Sequence, residues 1–153
     1  DYPELIIMDI PSIPDRTAYI LGNSTENPLE PMVVLGKQLK ELGALTLVTP
    51  CVTAHYFHEA LQARVGLPVI HGVRATAKLL KKVGIRRVGV MATDGTVQSG
   101  IFQRQMQRQG MQTILPTPEG QCAVMRLIYD QVKAGMQVSV TGFLQVRISA
   151  EFL

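Results

Sequence analysis

A cysteine directly after an apolar run is the residue best placed to do chemistry in this sequence. Cys51 lies in the segment 49–57, TPCVTAHYF, which follows the apolar run 44–48 and opens a stretch with helical spacing. Exposed N–H groups and the dipole at a helix start favour a thiolate, which makes Cys51 a candidate base or nucleophile. Thr53 can cap the same helix. The alternative is a small buried thiol, as most free cysteines are, and the local context alone favours that alternative.

A second loop, 92–100 or ATDGTVQSG, has residue types that bind small anions. It follows the apolar run 87–91, so the backbone N–H groups and hydroxyls of Thr93, Gly95 and Thr96 can hold a carboxylate at a helix start. The loop lacks the Gly-Lys-Ser or Gly-Lys-Thr end of a P-loop and the glycine spacing of a dinucleotide site. Ordinary strand-to-helix turn chemistry explains these residues equally well.

Two cations stand where a carboxylate could bind. Arg16 lies in the predicted loop 13–17, IPDRT, where a guanidinium can bind both oxygens of a carboxylate. Lys133 ends a predicted helix, where the helix dipole favours a lysine whatever its function. The sequence around Lys133 therefore favours the purely structural interpretation.

The histidines do not predict a metal site. His55 and His58 stand three residues apart, and His71 follows the third predicted strand. A metal ion would need a further protein ligand, and no carboxylate or thiol has the spacing to supply one. We therefore expect surface or capping histidines, no bound metal, and an inert Cys122 in the first turns of a later helix.

Alternating strands and helices must position these loops. Short runs rich in isoleucine, valine and leucine predict buried strands, and apolar residues three and four apart predict amphipathic helices. The predicted strands span 5–8, 44–48, 67–70, 87–91 and 112–115, and the predicted helices span 32–42, 57–65, 73–83, 101–108 and 119–134. The last two helices end before Gly110 and Gly135, and 136–141 alternates like a further strand. This order predicts an α/β protein with parallel sheets, whose ligands bind where both loops lie.

The composition is that of a soluble globular protein. The apolar share is 46%, and 15 basic against 12 acidic residues give a net charge of +3. The basic residues are scattered, so nucleic acid is a poor partner. No apolar run approaches the ~20 residues of a bilayer span, and the acidic start lacks a secretory signal, so we expect no membrane contact and a cytoplasmic location. Two distant cysteines predict free thiols.

Four motifs together resemble those of the cofactor-independent aspartate/glutamate racemase family. They are IPDRT at 13–17, TPCVTAH at 49–55, ATDGTVQSG at 92–100 and VKAG at 132–135. Each motif is modest alone, but four in the same order at similar separations are hard to obtain by chance. The resemblance covers about 10–135 and implies two similar α/β domains, usually in a homodimer, that act on a small molecule without pyridoxal phosphate, metal or nucleotide.

The resemblance implies a role for each matching residue. Cys51 matches one of two catalytic cysteines, and Arg16 and Lys133 match residues that bind substrate carboxylates in the aspartate-specific members. Racemisation needs a base on one face of Cα and an acid on the other, and a thiol serves on each face. Donors at Thr53 and in the 93–96 turn would stabilise the charge that develops on the α-carboxylate.

The sequence departs from the family pattern in three respects. Val52 stands where the family has an asparagine that meets the substrate carboxylate. Full-length members have a Gly-rich strand ahead of what is residue 1 here and a second cysteine in a Gly-Cys-Thr-Glu motif, and neither occurs in these 153 residues. We therefore expect a first domain at 1–73 without its N-terminal strand and a second at 74–153, truncated after about 135. The alternative is a decayed copy with an altered C-terminal stretch.

Three functions fit these observations. The first is a racemase of aspartate or a related acidic amino acid, with Cys51 as its base. The second is a cysteine-dependent isomerase or decarboxylase, as in relatives that act on maleate or malonates. The third is a non-catalytic remnant that binds a small dicarboxylate. The motifs at 13–17 and 132–135 favour the racemase, whereas the missing second thiol and Val52 favour the remnant.

Overall fold

The computed structural model describes residues 3–138 and confirms the predicted α/β class, with parallel strands flanked by helices. Contacts divide the chain into two compact units, Asp1–Gly72 and Val73–Leu153. Each unit has its own cluster of buried apolar side chains. The assignment of these units as two racemase-type domains stays a prediction.

Helices are the main regular elements of the first unit. They are α1 (Arg16–Ile20), α2 (Leu29–Glu41), a 3₁₀ turn (Thr53–Phe57) and α3 (His58–Val65). Asp15 caps α1, since its Oδ1 accepts a hydrogen bond from the Ala18 N–H at 2.8 Å. α3 ends at Gly66, whose φ of 71° is the left-handed conformation of a helix C-terminus.

Close packing of α2 against α3 builds the core of the first unit. A Cβ at Gly36 would lie only 2.6 Å from Val65 Cγ2, so the two helices approach where α2 has no side chain. At the outer surface, Arg64 of α3 donates two hydrogen bonds to the carboxylate of Glu30 of α2, at 2.6 and 2.8 Å. The buried core residues are Met32, Val33, Leu47, Ala54, Phe57, Leu61, Val65 and Val69.

The strands of the first unit are shorter than predicted. The segments 44–48 and 67–70 meet at one parallel bridge, between Leu47 and Val69. The Leu47 N–H donates to the Pro68 carbonyl at 2.9 Å, and the Ile70 N–H donates to the Leu47 carbonyl at 2.8 Å. These hydrogen bonds hold the end of the run that leads to Cys51.

The predicted buried strand at 5–8 is wrong. These residues form no strand, and Leu5 and Ile7 are 75% and 82% exposed. Among residues 3–138, no strand pairs with this segment. A strand needs a neighbour for its N–H and C=O groups, so an apolar run without one does not form a ladder.

The second unit contains one parallel strand pair among helices. Its elements are α4 (Gly72–Lys82, which begins at the boundary), β1 (Arg87–Gly89), α5 (Asp94–Gln98), α6 (Ile101–Arg108), β2 (Gln112–Ile114), α7 (Pro118–Arg126) and a π-helix (Leu127–Val132). Val88 of β1 lies opposite Thr113 of β2 in the parallel register. Ala77, Met106 and Met111 are buried in the core of this unit, with Leu80 and Phe102 packed against them.

The predicted helices are confirmed, with one change near the end. The segment 119–134 is helical to residue 132, but its last part is a π-helix. Gly135 has a φ of 67°, as expected after a helix. Residues 136–138 form no strand, and the rest of the strand predicted at 136–141 lies outside the described residues. No helix within 3–138 is long and apolar enough to cross a membrane.

Candidate active site

Cys51 lies just ahead of the 3₁₀ turn, half-buried against the core of the first unit. Its carbonyl accepts two hydrogen bonds, from the Ala54 N–H at 3.1 Å and from Nδ1 of His55 at 3.1 Å. The backbone at Cys51 is therefore held by the turn that follows it. The thiol is placed as the sequence predicts, between an apolar segment and a helical turn.

The two residues after Cys51 begin this turn. Val52 occupies the N-cap position and makes no capping hydrogen bond with its side chain. The cap predicted at Thr53 is therefore wrong, because Thr53 is the first residue inside the turn. Val52 is 39% exposed, so an apolar side chain faces solvent next to the thiol.

Arg16 is the first residue of α1 rather than a loop residue. Its Nη1 donates to the carbonyls of Ile13 and Pro14, at 3.1 and 3.0 Å. These two bonds fix one end of the guanidinium and leave the Nε and Nη2 edge with no hydrogen bond to the described residues. That edge is the part of Arg16 that could bind a carboxylate.

The histidines predicted at the surface are wrong for His55 and His58, which are only 5% and 6% exposed. His55 lies in the 3₁₀ turn and His58 begins α3, and each ring has at least one nitrogen within hydrogen-bonding distance of a backbone group. Nδ1 of His58 is buried without a hydrogen-bond partner among the described residues. Nε2 of His58 lies 2.8 Å from the carbonyl of Val69. The ring of His71 lies 5.2 Å from that of His55 and 4.6 Å from that of His58. Within the described ranges, no three metal-ligating side chains form a site.

The second candidate loop is a capped turn at the start of α5. Thr93 caps α5 by accepting from the Thr96 N–H, and the two hydroxyls lie 3.1 Å apart. Thr96 is 2% exposed, so its hydroxyl serves the turn. Gly95 is buried beside it, in the first turn of the helix, where N–H groups have no intrahelical partner.

A glutamine from α7 holds this turn in place. Nε2 of Gln121 donates to the carbonyl of Ala92 at 2.9 Å and to Oδ1 of Asp94 at 2.7 Å. The Asp94 N–H in turn points at Sδ of Met125, at 3.3 Å. Gln121 thus holds the first residues of the loop, a role that the sequence analysis did not assign to it.

Lys133 follows the π-helix and is exposed. Its Nζ lies 4.0 Å from the centre of the Tyr129 ring, a cation–π contact. Tyr129 and Lys133 lie at the end of the same helical segment. The contact between them is compatible with a purely structural role for Lys133 and also with a binding role.

The predicted site residues thus form two local groups. In the first unit, Cys51, Val52 and Thr53 are consecutive, and α1 packs against their turn, where the rings of Tyr19 and Phe57 lie 5.8 Å apart. In the second unit, Thr93, Gly95 and Thr96 share the first turn of α5. The prediction that these groups contact one ligand, together with Arg16 and Lys133, stays a prediction.

Two residues near these groups were missed by the sequence analysis. His55 could have been found from its spacing, because a side chain four residues after Cys51 can reach back to its carbonyl. Gln121 had no comparable signal, since it lies far along the chain from the loop that it holds.

Sequence similarity to known proteins extends over nearly the whole chain. The family model for Asp/Glu/hydantoin racemases matches residues 1–147. Over 129 residues the chain is 28% identical to the broad specificity amino-acid racemase RacX of Bacillus subtilis strain 168, covering 84% of this chain and 54% of that protein. Over 105 residues it is 30% identical to the glutamate racemase of Lysinibacillus sphaericus, covering 61% of this chain and 40% of that protein.

Solved structures of racemases resemble this chain in fold. The aspartate racemase of Picrophilus torridus superposes with a TM-score of 0.70 at 28% identity, over 81% of this chain and 51% of that one. An aspartate racemase homologue from Pyrococcus horikoshii has a TM-score of 0.69 at 23% identity, over 89% and 59% of the two chains, and supports the fold. The chain spans about half the length of the curated relatives it matches. The match over 147 of 153 residues shows that this chain belongs to the Asp/Glu/hydantoin racemase family.

Proposed function

We propose that this chain binds an acidic amino acid, aspartate or a close relative, and removes its α-proton with the thiolate of Cys51. The observation that carries the proposal is the placement of Cys51, half-buried ahead of a turn that fixes its backbone. The names of the relatives support it, since they include a glutamate racemase, an aspartate racemase and a broad specificity racemase.

The proposed step moves one proton and leaves one electron pair behind. The Cys51 thiolate takes the proton from Cα and becomes a thiol, while the electron pair of the C–H bond spreads into the α-carboxylate. Fixed N–H and O–H donors near that carboxylate lower the energy of the carbanion. Thr53, Thr93 and the Gly95 N–H are the proposed donors, while Thr96 supports them by donating its N–H to Thr93 Oγ1. Inversion then needs a second acid on the opposite face.

Recognition of the side-chain carboxylate is assigned to two cations. Arg16 offers its Nε and Nη2 edge, which suits a planar carboxylate. Lys133 supplies a charge on a flexible stem, beside Tyr129. A missing γ- or δ-carboxylate should therefore weaken binding, so alanine should be a poorer ligand than aspartate.

The proposal includes no pyridoxal phosphate, metal or nucleotide, because the resemblance implies a family in which cysteines alone carry the α-proton. A homodimer in the cytoplasm is the proposed setting. The lack of a cofactor and the homodimer follow from the resemblance of the four motifs, and they can be checked by the absorbance, metal content and mass of the purified protein.

Loss of the aspartate α-proton signal in deuterated water, followed by NMR, tests the proposed role of Cys51. Cys51→Ala should abolish the exchange, because no other described residue is proposed as the base. Cys122→Ala is the matched control and should retain it, since Cys122 is an exposed residue of α7. Equal exchange in Cys51→Ala and the unmodified chain would refute the proposal.

A second candidate function, binding of a dicarboxylate without catalysis, is favoured by Val52. An apolar side chain, 39% exposed, stands beside the thiol where the resemblance implies an amide. Calorimetric titration with aspartate distinguishes the two candidates. Heat of binding without any α-proton exchange would support the non-catalytic function.

A further inference from the structure

His55 makes hydrogen bonds to two separate parts of the first unit. Its Nδ1 lies 3.1 Å from the Cys51 carbonyl, and the Gly72 N–H donates to its Nε2 at 2.9 Å. The ring is 5% exposed, so water does not compete strongly for either nitrogen. We call this pair of hydrogen bonds the His55 bridge. It joins the loop of the thiol to the residue that begins α4.

The two partners determine the proton positions on the ring. The Gly72 N–H can only donate, so Nε2 must present a lone pair. The Cys51 carbonyl can only accept, so Nδ1 must carry the hydrogen. Both bonds are made only by the neutral ring with its proton on Nδ1. In this state, neither ring nitrogen hydrogen-bonds to the Cys51 thiol within the described part of the chain.

The absence of a side chain at Gly72 leaves room for the His55 ring at its present position. A Cβ at this position would lie 3.3 Å from Nε2 of His55, which is closer than ordinary packing. An alanine would therefore push the ring by a few tenths of an ångström. At its other end, the bridge adds a second donor to a carbonyl that already accepts from the Ala54 N–H. The Cys51 backbone is held by both.

We propose that His55 is a positioning residue for Cys51, acting as a neutral hydrogen-bond bridge and not as an acid or base. This inference rests on the proposed function for its kinetic consequence, but its structural part does not. The bridge holds the Cys51 carbonyl and so limits the directions that the thiol can take. A thiolate that must lie in line with one C–H bond loses rate steeply when it is misplaced by about an ångström.

Three substitutions at one position separate the hydrogen bonds from the ring volume. His55→Phe keeps a buried ring and removes both bonds. His55→Gln can still donate with its amide nitrogen and accept with its amide oxygen, at about the distance of Nε2 from the backbone. His55→Asn is the matched shorter amide. Gly72→Ala perturbs the bridge from outside the loop.

Alkylation by iodoacetamide with peptide mapping tests the structural part without any turnover. His55→Phe should raise the labelling rate of the half-buried Cys51 about tenfold, because its loop opens more often. His55→Gln should restore the slow rate better than His55→Asn, and Gly72→Ala should lie between. Cys122 is exposed in the other unit and should label at one rate throughout, which makes it the internal reference for the reagent.

Exchange of the aspartate α-proton tests the kinetic part. His55→Phe should lower the maximal exchange rate roughly 100-fold with a smaller change in KM, and His55→Gln should recover most of it. Unchanged Cys51 labelling in His55→Phe would overturn the positioning role. If Cys51→Ala leaves exchange intact, the proposed function fails while the labelling result still decides the role of His55. If His55→Phe does not fold, the comparison of His55→Gln with His55→Asn decides it, and equal labelling in the two would overturn the proposal.

Discussion

Cys51 and Cys122 differ in their surroundings, and this difference allows a test of substrate contact. Cys51 is half-buried against the first core, while Cys122 is exposed on α7. If Cys51 removes the α-proton, bound aspartate covers its thiol. At ten times the dissociation constant, aspartate should slow Cys51 alkylation about tenfold and leave Cys122 unaffected. Equal slowing of both thiols would contradict this prediction, because the protection would not be specific to Cys51.

Val52 next to the thiol is the residue whose replacement should improve binding. An asparagine amide there could donate to the substrate carboxylate, and one added hydrogen bond strengthens binding roughly three- to tenfold. Val52→Asn should therefore bind aspartate more tightly in calorimetry, whereas Val52→Ala, which adds no donor, should not. Tighter binding by Val52→Ala would point to simple steric relief instead.

The sequence predicts the thiol loop well because its parts are consecutive. Cys51, Val52 and Thr53 lie in one turn whatever the rest of the fold does. The same reasoning fails for His55, since spacing shows which residue it can reach but not whether its ring is buried. Its second hydrogen-bond partner, Gly72, is far away in sequence.

At the scale of elements, helices are predicted better than strands. The apolar spacing of α4 and α6 appears in the sequence itself, because a helix satisfies its hydrogen bonds locally. A strand depends on a neighbour that the sequence does not identify. For this reason 112–115 forms β2 beside β1, while 5–8, with a similar apolar run, forms no strand.

Gly36 lies where α2 packs closely against α3. Alanine normally stabilises a helix relative to glycine, but its Cβ here would lie 2.6 Å from Val65 Cγ2. Overpacking should win, so Gly36→Ala should lower the free energy of unfolding by about 1–3 kcal/mol. Lys37→Ala, an exposed neighbour on α2, should change it by less than about 0.5 kcal/mol. Urea unfolding of both variants measures this, and a more stable Gly36→Ala would contradict the close approach.

The surface ion pair between Glu30 of α2 and Arg64 of α3 should make the stability of the fold depend on pH. Its hydrogen bonds to Arg64 hold the pKa of Glu30 below its usual value. Because the folded pKa is lowered, this contribution to stability is present above the unfolded pKa and disappears as the pH falls through the folded pKa. The pair is exposed, so the effect is small and is screened by salt. The Tm difference between the unmodified chain and Glu30→Gln should be constant near neutral pH and vanish in acid. A difference that grows in acid would be the wrong sign.

For the whole molecule, the order of motifs is more informative than any single residue. Four modest motifs in sequence indicate the family, and the match over 1–147 confirms it. The order of the motifs does not predict which distant segments contact one another. Gln121 holding Ala92 and Asp94 is one such contact, because α7 must first pack beside the loop before the amide can reach it.

The number of groups that can carry a proton limits the reaction that the 153-residue chain can catalyse. Cys51 can remove the α-proton of one enantiomer, but inversion needs an acid on the other face of Cα. Cys122 lies on α7 and does not match the second cysteine motif that the resemblance implies. Both nitrogens of His55 are committed to backbone groups.

We therefore expect slow α-proton exchange with one enantiomer of aspartate and negligible conversion of L- to D-aspartate. Chiral chromatography of the amino acid, beside NMR in deuterated water, measures both quantities in one reaction. Val52→Asn should not restore inversion, because it adds a carboxylate contact and not an acid. Conversion at ~1 per second or more would mean that another residue of this chain returns the proton, since that rate is typical of complete enzymes.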